Sequence, residues 1–546
     1  MNLLTLAQQP DILAAALPMV EKLRYIVPEI ALFVTTCVVM ILGLSPSAET
    51  RRLCAGVSIA GLALAGLLAM VTPQAPNSLL PNLMPFGKVL IAVIGIPLLL
   101  LITGTVDRDY EAAVERGAKW DGIRATRGEF YSFVLFSLTG LMLCTSADDL
   151  IWIFLALELT SLPTYVMVSI STSGTRSQEA GIKYFFLGAL GAAFFLYGFA
   201  LLYGATGTTM LFTDGVTPGI ADVLAQQVAA NGSISTLAVL GMVISMVGVS
   251  FKMAAVPMHF YTADVYEGAS SSVSAFLAFV PKAAGIFVLV LLASTVGWGF
   301  EGGLPRAIEA VLWVVAVMTM TVGNVMALLQ RNVKRTLAYS SIAHSGYMLV
   351  GLIAGPGAAG GPVSTNGLAA SLFYLLCYGF MNMGTFAVLA CLERRAAGGE
   401  REEIETFDDL RGLCTTRPLL GWSMMLCSLS LLGLPPLLGF FGKLYLFTSA
   451  ISAGQIALVV IMGVNSAIAA FYYLRLAFVP FFEPSPDAGA GLSLTPFAGR
   501  IAAAVISGAS VAVLWLGAGW LIRQSGAAAE YRQTAASVAD ASEPAR

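Results

Sequence analysis

Charged side chains are scarce in these 546 residues: 29 Lys and Arg with 32 Asp and Glu make up 11% of the chain, where soluble domains run near one quarter. A water-facing globular fold is excluded. Histidine is scarcer still, with only His259 and His344, and no acidic or cysteine neighbours stand at ligand spacing, so no metal site is expected. Seven cysteines fall singly without a C-x-x-C, which argues against an iron–sulfur cluster. A Walker loop, a glycine-rich strand-to-helix turn, a haem attachment motif and a nucleophile elbow are all missing, so the chain itself is expected to hold no nucleotide and no redox centre. The net charge of −3 gives no basic footprint, and no nucleic-acid partner is expected.

What the chain has in quantity is apolar length. It is 57% hydrophobic with a mean hydropathy of +0.82, and apolar runs near 20 residues long recur from about residue 28 to residue 522. Each can cross a lipid core of about 30 Å as a helix. The runs lack the two-residue alternation of a barrel strand. The expected fold is an all-α integral membrane protein of about 14 transmembrane helices, near 28–45, 53–72, 86–105, 130–147, 149–171, 183–204, 237–262, 269–294, 306–329, 335–355, 367–392, 418–450 with a break, 456–480 and 499–522. Lipids are its solvent.

The first 30 residues are too long and too weakly basic at their start for a signal peptide, so the first run reads as a retained span. Lysine and arginine gather in the loops after odd-numbered spans, as in "RNVKR" (331–335), while 204–235 has neither. Basic loops face the cytoplasm, which places both termini on the opposite side. The charged stretch 399–413, "GEREEIETFDDLRGL", reads as a solvated loop or, alternatively, a docking surface. The tail 523–546 is small, polar and expected to be loose.

Four ionisable residues stand well inside apolar runs: Glu158, Lys252, Lys282 and Lys443. A charge at the centre of a membrane helix costs about 2.5–3.5 kcal/mol on insertion scales, so such groups face a bundle interior or a wet cavity. Proline stands near each lysine, as Pro257, Pro281 and the pair Pro435 and Pro436. A proline strands a carbonyl one turn earlier, and in a membrane that carbonyl needs water or a side chain. Broken helices carrying charge are the usual build of an ion pathway, although kinks alone are common. His259 follows the Pro257 break and His344 lies among Tyr339, Ser340 and Ser341; each fits either a satisfied polar group or a proton relay.

Four stretches, "EAGIKYFFLGAL" (179–190), "FKMAAVPMHFYTADVYEGAS" (251–270), "RNVKRTLAYSSIAHSGYMLVGL" (331–352) and "LSLLGLPPLLGFFGKLYLF" (429–447), resemble the antiporter-like membrane subunits of respiratory complex I. Within that family, Asp264 to Gly268 and Lys443 most resemble the N-type branch, and the likeness covers roughly residues 130–480. One departure is "FYTAD", where Thr262 and Ala263 stand in place of the aromatic and A-P-D of the family, which leaves the end of that broken helix open. The resemblance implies a three-helix segment (1–129), two five-helix units of inverted topology (130–294 and 306–480), and a last helix (499–522). It also implies roles: Glu158 as coupling carboxylate, Lys252 as its paired pump lysine, Lys282 as central relay and Lys443 as terminal proton donor or acceptor. On the same ground the partners are other membrane-arm subunits, including neighbouring antiporter-like ones, in a bacterial inner membrane. NADH, FMN, iron–sulfur clusters and quinone are then expected in other subunits. A cation/proton antiporter subunit and an inert scaffold are the alternative functions.

Overall fold

The structure, a computed structural model, describes residues 23–532 except 75–77, 123, 173, 214–216, 299–302, 359–360, 396–400, 485–491 and 496. The described residues are helical almost throughout. In chain order the helices are α1 (Val27–Gly43), α2 (Ala48–Val71), α3 (Leu83–Ile102), α4 (Arg108–Glu115), α5 (Arg127–Thr145), α6 (Leu150–Ile170), α7 (Thr175–Thr206), α8 (Ile220–Asn231), α9 (Thr236–Ser250) and α10 (Thr262–Gly268). They continue as α11 (Ser271–Val296), α12 (Arg306–Leu328), α13 (Val333–Ala354), α14 (Gly367–Ala390), α15 (Leu413–Thr416), α16 (Pro418–Leu432), α17 (Leu438–Ser452), α18 (Ile456–Phe482), α19 (Ala498–Val513) and α20 (Ala518–Ala528). Among the described residues 11 helices are long and apolar enough to cross a membrane, counting α19 and α20 as one, and α1, α9 and α16 are shorter apolar helices at three other expected spans.

Polar side chains decide which helices lie at the centre. In lipid an apolar residue gains nothing by burial against another helix, whereas a polar one gains a partner. Accordingly α11 and α14 are wholly buried and α13 nearly so; these carry Lys282, the run Ser340, Ser341, His344 and Ser345, and Tyr374, Tyr378 and Asn382. The outer helices α2, α7 and α18 turn Leu67, Phe186 and Phe471 outward. Side-chain caps fix several starts: Asp149 Oδ1 accepts from the Ile151 amide at 2.7 Å, Asn332 Oδ1 from Arg335 at 3.2 Å and Asn366 Oδ1 from Ala369 at 2.9 Å. Each satisfies an amide that the first helical turn leaves without a carbonyl.

Three local differences from expectation have physical causes. α11 runs unbroken through Pro281, so only two of the three lysine-bearing segments are interrupted. The span expected at 237–262 ends at Ser250, and its second half starts at Thr262, which settles the end that "FYTAD" left open. The charged stretch near 399–413 is not simply a solvated loop. Strands β1 (Leu392–Arg395), β2 (Arg401–Glu403) and β3 (Leu492–Leu494) form an antiparallel sheet in the order β2-β1-β3, with Glu403 opposite Glu393. Glu403 reaches inward: its carboxylate accepts from the Ser271 amide at 2.8 Å and hydroxyl at 2.6 Å, and pairs with Lys334 Nζ at 2.9 Å. Burial works to raise this carboxyl, but the Lys334 ammonium and the hydrogen bonds from Lys334 and Ser271 outweigh it and hold it below its ordinary value.

The start of the expected loose tail is also ordered. α20 extends to Ala528, and Tyr531 sets its ring edge-on to Trp298 at 5.5 Å and donates to the Ser294 carbonyl at 3.3 Å. An aromatic ring with a polar tip supplies the anchor that a composition of small residues lacks. The rest of the tail, 533–546, and the first 22 residues lie outside the described residues.

Candidate functional site

The first break lies between α9 and α10, and Lys252 stands at its edge. Its ammonium meets Glu158 Oε1 of α6 at 3.2 Å and Ser161 Oγ, one turn on, at 2.6 Å. Lys252 is 2% exposed and Glu158 20%, so the lysine is enclosed while the carboxylate keeps an edge to the outside. The rings of Phe195 and Phe251 cover the ammonium at 5.7 and 5.9 Å, a favourable contact for a desolvated cation.

The backbone freed by the break finds its partners on α11, α12 and α13. Met253 O accepts from Lys282 Nζ at 2.9 Å and from Ser345 Oγ at 2.5 Å, while the Val256 amide donates to Thr319 Oγ1 at 2.9 Å. Lys282 thus reaches the break from the next helix. Its other donors go to Ser341 O at 2.8 Å and Ser345 Oγ at 2.5 Å. All three partners are neutral, so a fully buried ammonium is held by dipoles alone.

His344 lies one residue before Ser345 on α13. Its two ring nitrogens are bonded to Tyr374 Oη at 2.6 Å and Tyr473 Oη at 2.7 Å. Tyr473 is also bonded to Ser340 Oγ, and Tyr378 Oη donates to Ser341 Oγ at 2.8 Å. A bond at both nitrogens lets the ring take a proton on one side and release it on the other.

The second break, Gly433 to Leu437, separates α16 from α17. Here Lys443 follows the prolines and turns back to donate to the stranded Leu432 carbonyl at 2.8 Å. Its ammonium lies 5.2 Å from the ring of Tyr347, which in turn stands edge-on to His344 at 5.6 Å. Gly433 has φ +92°, and a Cβ there would sit 3.0 Å from Lys443 Cδ, so glycine provides both the turn and the room.

Glu158, Lys252, Lys282, His344 and Lys443 are therefore brought into one line through the interior. His259 is not. Its ring packs at a tilt of 33° against that of Phe260, which is 71% exposed, and the His259 Nδ1 has no hydrogen-bond partner among the described residues. Sequence reasoning also passed over a buried pair, Lys88 on α3 and Glu29 on α1, 2.8 Å apart at 0% and 4% exposure. Both lie within two turns of a helix start, where a charge is ordinarily read as reaching for water. Their opposite signs at the same depth were the available signal. Among the described residues no group of three His, Cys, Asp or Glu is placed to hold a metal.

Two broken helices with lysines bound to the freed carbonyls define an antiporter-like membrane subunit. Residues 147–469 match the family described as NADH:quinone oxidoreductase/Mrp antiporter, TM, and the chain belongs to it. Within the family its similarity is to subunit N of NADH-quinone oxidoreductase: that of Trichlorobacter lovleyi is 37% identical over 486 residues, spanning 87% of this chain and 91% of that protein. Among solved structures, a chain of respiratory complex I from Thermus thermophilus with bound aureothin is 32% identical with a TM-score of 0.70, covering 92% of this chain and 99% of that one. A chain of the Mrp complex from Dietzia sp. DQ12-45-1b, 21% identical with a TM-score of 0.67 over 93% of this chain and 96% of that one, shares the fold.

Proposed function

We propose that this chain is the proton-translocating N-type membrane subunit of an NADH:quinone oxidoreductase. The observation that carries the reading is the line from the partly exposed Glu158 through the buried Lys252, Lys282 and His344 to Lys443, which links one break to the other. Glu158 is the coupling carboxylate: drawing it away from Lys252 removes the counter-charge that keeps the ammonium protonated, and the proton is then released toward the interior. Lys282 and His344 relay it, and Lys443 is the terminal donor or acceptor. His259, away from the line, has no part. Protons are favoured over sodium because a sodium ion needs a cage of oxygens and would be repelled by three lysines.

The same reading makes each break the interruption of the fourth span of one five-helix unit, 130–294 and 306–480, the two units being related by inverted topology. The catalytic class is translocase, exercised as part of a complex whose NADH, FMN, iron–sulfur clusters and quinone belong to other subunits. Neighbouring antiporter-like subunits pack beside it in a bacterial inner membrane, with both termini on the periplasmic side.

The test is NADH-driven acidification of inverted membrane vesicles carrying Lys443→Ala, with NADH oxidation and complex assembly followed in parallel. Assembly is expected to survive while pumping and coupled turnover fall several-fold. Wild-type pumping by an assembled variant would reduce Lys443 to a structural residue and defeat the proposal.

A further inference from the structure

The line from His344 to Lys443 has one link without a hydrogen bond. His344 bonds Tyr374 and Tyr473, and Lys443 bonds Leu432 O at 2.8 Å, so among the described residues no hydrogen bond joins the two. Tyr347, 1% exposed, stands beside both. Its ring centroid is 5.2 Å from the Lys443 ammonium, and its ring plane is at 90° to that of His344. An ammonium carries three donors, and only one of them meets an acceptor among the described residues. The ring supplies negative potential in place of a second acceptor, because the face of an aromatic ring attracts a cation, most strongly where water is absent.

The hydroxyl end of Tyr347 is held from another helix. Asn324 on α12, wholly buried, donates from Nδ2 to Tyr347 Oη at 3.1 Å and to Asn465 Oδ1 at 3.3 Å, and its Oδ1 accepts from Tyr472 Oη at 2.8 Å. Asn465 is tied in turn, its Nδ2 donating to Ile461 O at 3.0 Å and to Thr321 Oγ1 at 3.3 Å. Tyr472 is followed by Tyr473, which bonds His344, so adjacent residues of α18 hold His344 directly and Tyr347 through Asn324. Polar side chains between membrane helices often act as glue. Asn465 and Thr321, on α18 and α12, fit that use, whereas the arm from Asn324 to Tyr347 ends beside the proton line.

We infer that the Tyr347 ring face is the seat of the Lys443 ammonium, and that Asn324 is the positioning residue that keeps this face turned to it. A swing of the ring about its Cα–Cβ bond would carry the face away from Lys443, and the Asn324 amide resists that swing from the far end of the side chain. Leu432 O fixes where Nζ stands, while the ring attracts the ammonium and not the neutral amine. The inference rests on the proton-transfer reading above and names what holds the proton at its terminal site.

The intact complex provides the test. Fluorine on an aromatic ring withdraws negative charge from its face with little change of size. Tyr347→Phe and phenylalanines of rising ring fluorination at the same position are expected to lower vesicle acidification stepwise, ending several-fold below Tyr347→Phe itself. A flat series overturns the seat. Tyr347→Leu is expected at the bottom of the series; if it pumps like Tyr347→Phe the seat is also overturned, and if it fails to assemble the fluorinated series decides. Tyr347→Phe keeps the face but lets go of Asn324, so it is expected to fall part-way below wild type, and wild-type pumping by it overturns the role of Asn324. Adding Tyr347→Phe to Asn324→Leu should lower acidification no further, since both break one hydrogen bond; losses that multiply overturn that role, and if Asn324→Leu fails to assemble, Tyr347→Phe alone decides it. Lys443→Ala serves as the reference. If it abolishes pumping while the fluorinated series is flat, only the seat is wrong; if it pumps as wild type, the underlying function is wrong.

Discussion

Lys252 and Lys282 are both enclosed, yet they are held by different chemistry. Lys252 has a carboxylate and a hydroxyl, whereas Lys282 has two carbonyls and a hydroxyl. Removing one partner of a buried ion pair leaves the other charge uncompensated at a cost of about 3–5 kcal/mol, and the 20% exposure of Glu158 places this pair at the lower end. Glu158→Gln and Lys252→Met are each expected to lower vesicle acidification to a small fraction of wild type. The double variant should be no worse than either single one, because the two act as a unit. Losses that add would assign them separate roles. These three charged positions and Lys443 were legible in the sequence because a charge flanked by apolar residues on both sides has nowhere to reach. The histidines were not distinguishable: both stand among aromatic and polar neighbours, and only the packing of α14 and α18 against α13 separates His344 from His259.

Each break is a short piece of non-helical backbone whose stranded carbonyl is bound by a lysine, Met253 O by Lys282 and Leu432 O by Lys443. The buried lysine and the break are thus one construction. Gly433 and Gly454 both have positive φ, +92° and +74°, but a Cβ at Gly454 would meet open space while one at Gly433 would press on Lys443. Each alanine substitution is expected to cost about 1–2 kcal/mol in the stability of the complex through backbone strain, read as a lowered Tm. Only Gly433→Ala should also reduce pumping. Equal pumping by the two would show that the position of Lys443 relative to Leu432 O is not critical. At this scale the sequence placed the spans well, since apolar length is local information. Pro281 was ambiguous because a proline's effect depends on what receives the freed carbonyl, and the sheet was hidden because its strands are only three or four residues long and the third lies some 90 residues beyond the other two.

In the whole molecule, buried charge also ties peripheral helices to one another. Lys88 on α3 and Glu29 on α1 are joined by Ser146 after α5, whose Oγ donates to Glu29 at 3.0 Å, so one cluster ties the N-terminal helices to the first half of the bundle. Lys88→Met is expected to destabilise the assembled complex by about 3–5 kcal/mol, and Lys88→Met with Glu29→Gln by clearly less. Thermal unfolding of the purified complex would measure both, and an additive double variant would mean that the pair is not coupled. This tertiary grip was not legible, because each residue taken alone reads as a charge near a helix end. The dipole-held Lys282 carries one more implication. The interior line has three lysines and a single carboxylate, so with all three lysines protonated, Glu158 ionised and His344 neutral, two positive charges would be uncompensated. Two unit charges about 10 Å apart repel by roughly 1.7 kcal/mol at an effective dielectric near 20, more than a tenfold change in occupancy. On the proposed function the lysines are competing tenants: each arrival would evict a neighbour, and current would advance by displacement along the row with no side chain travelling its length.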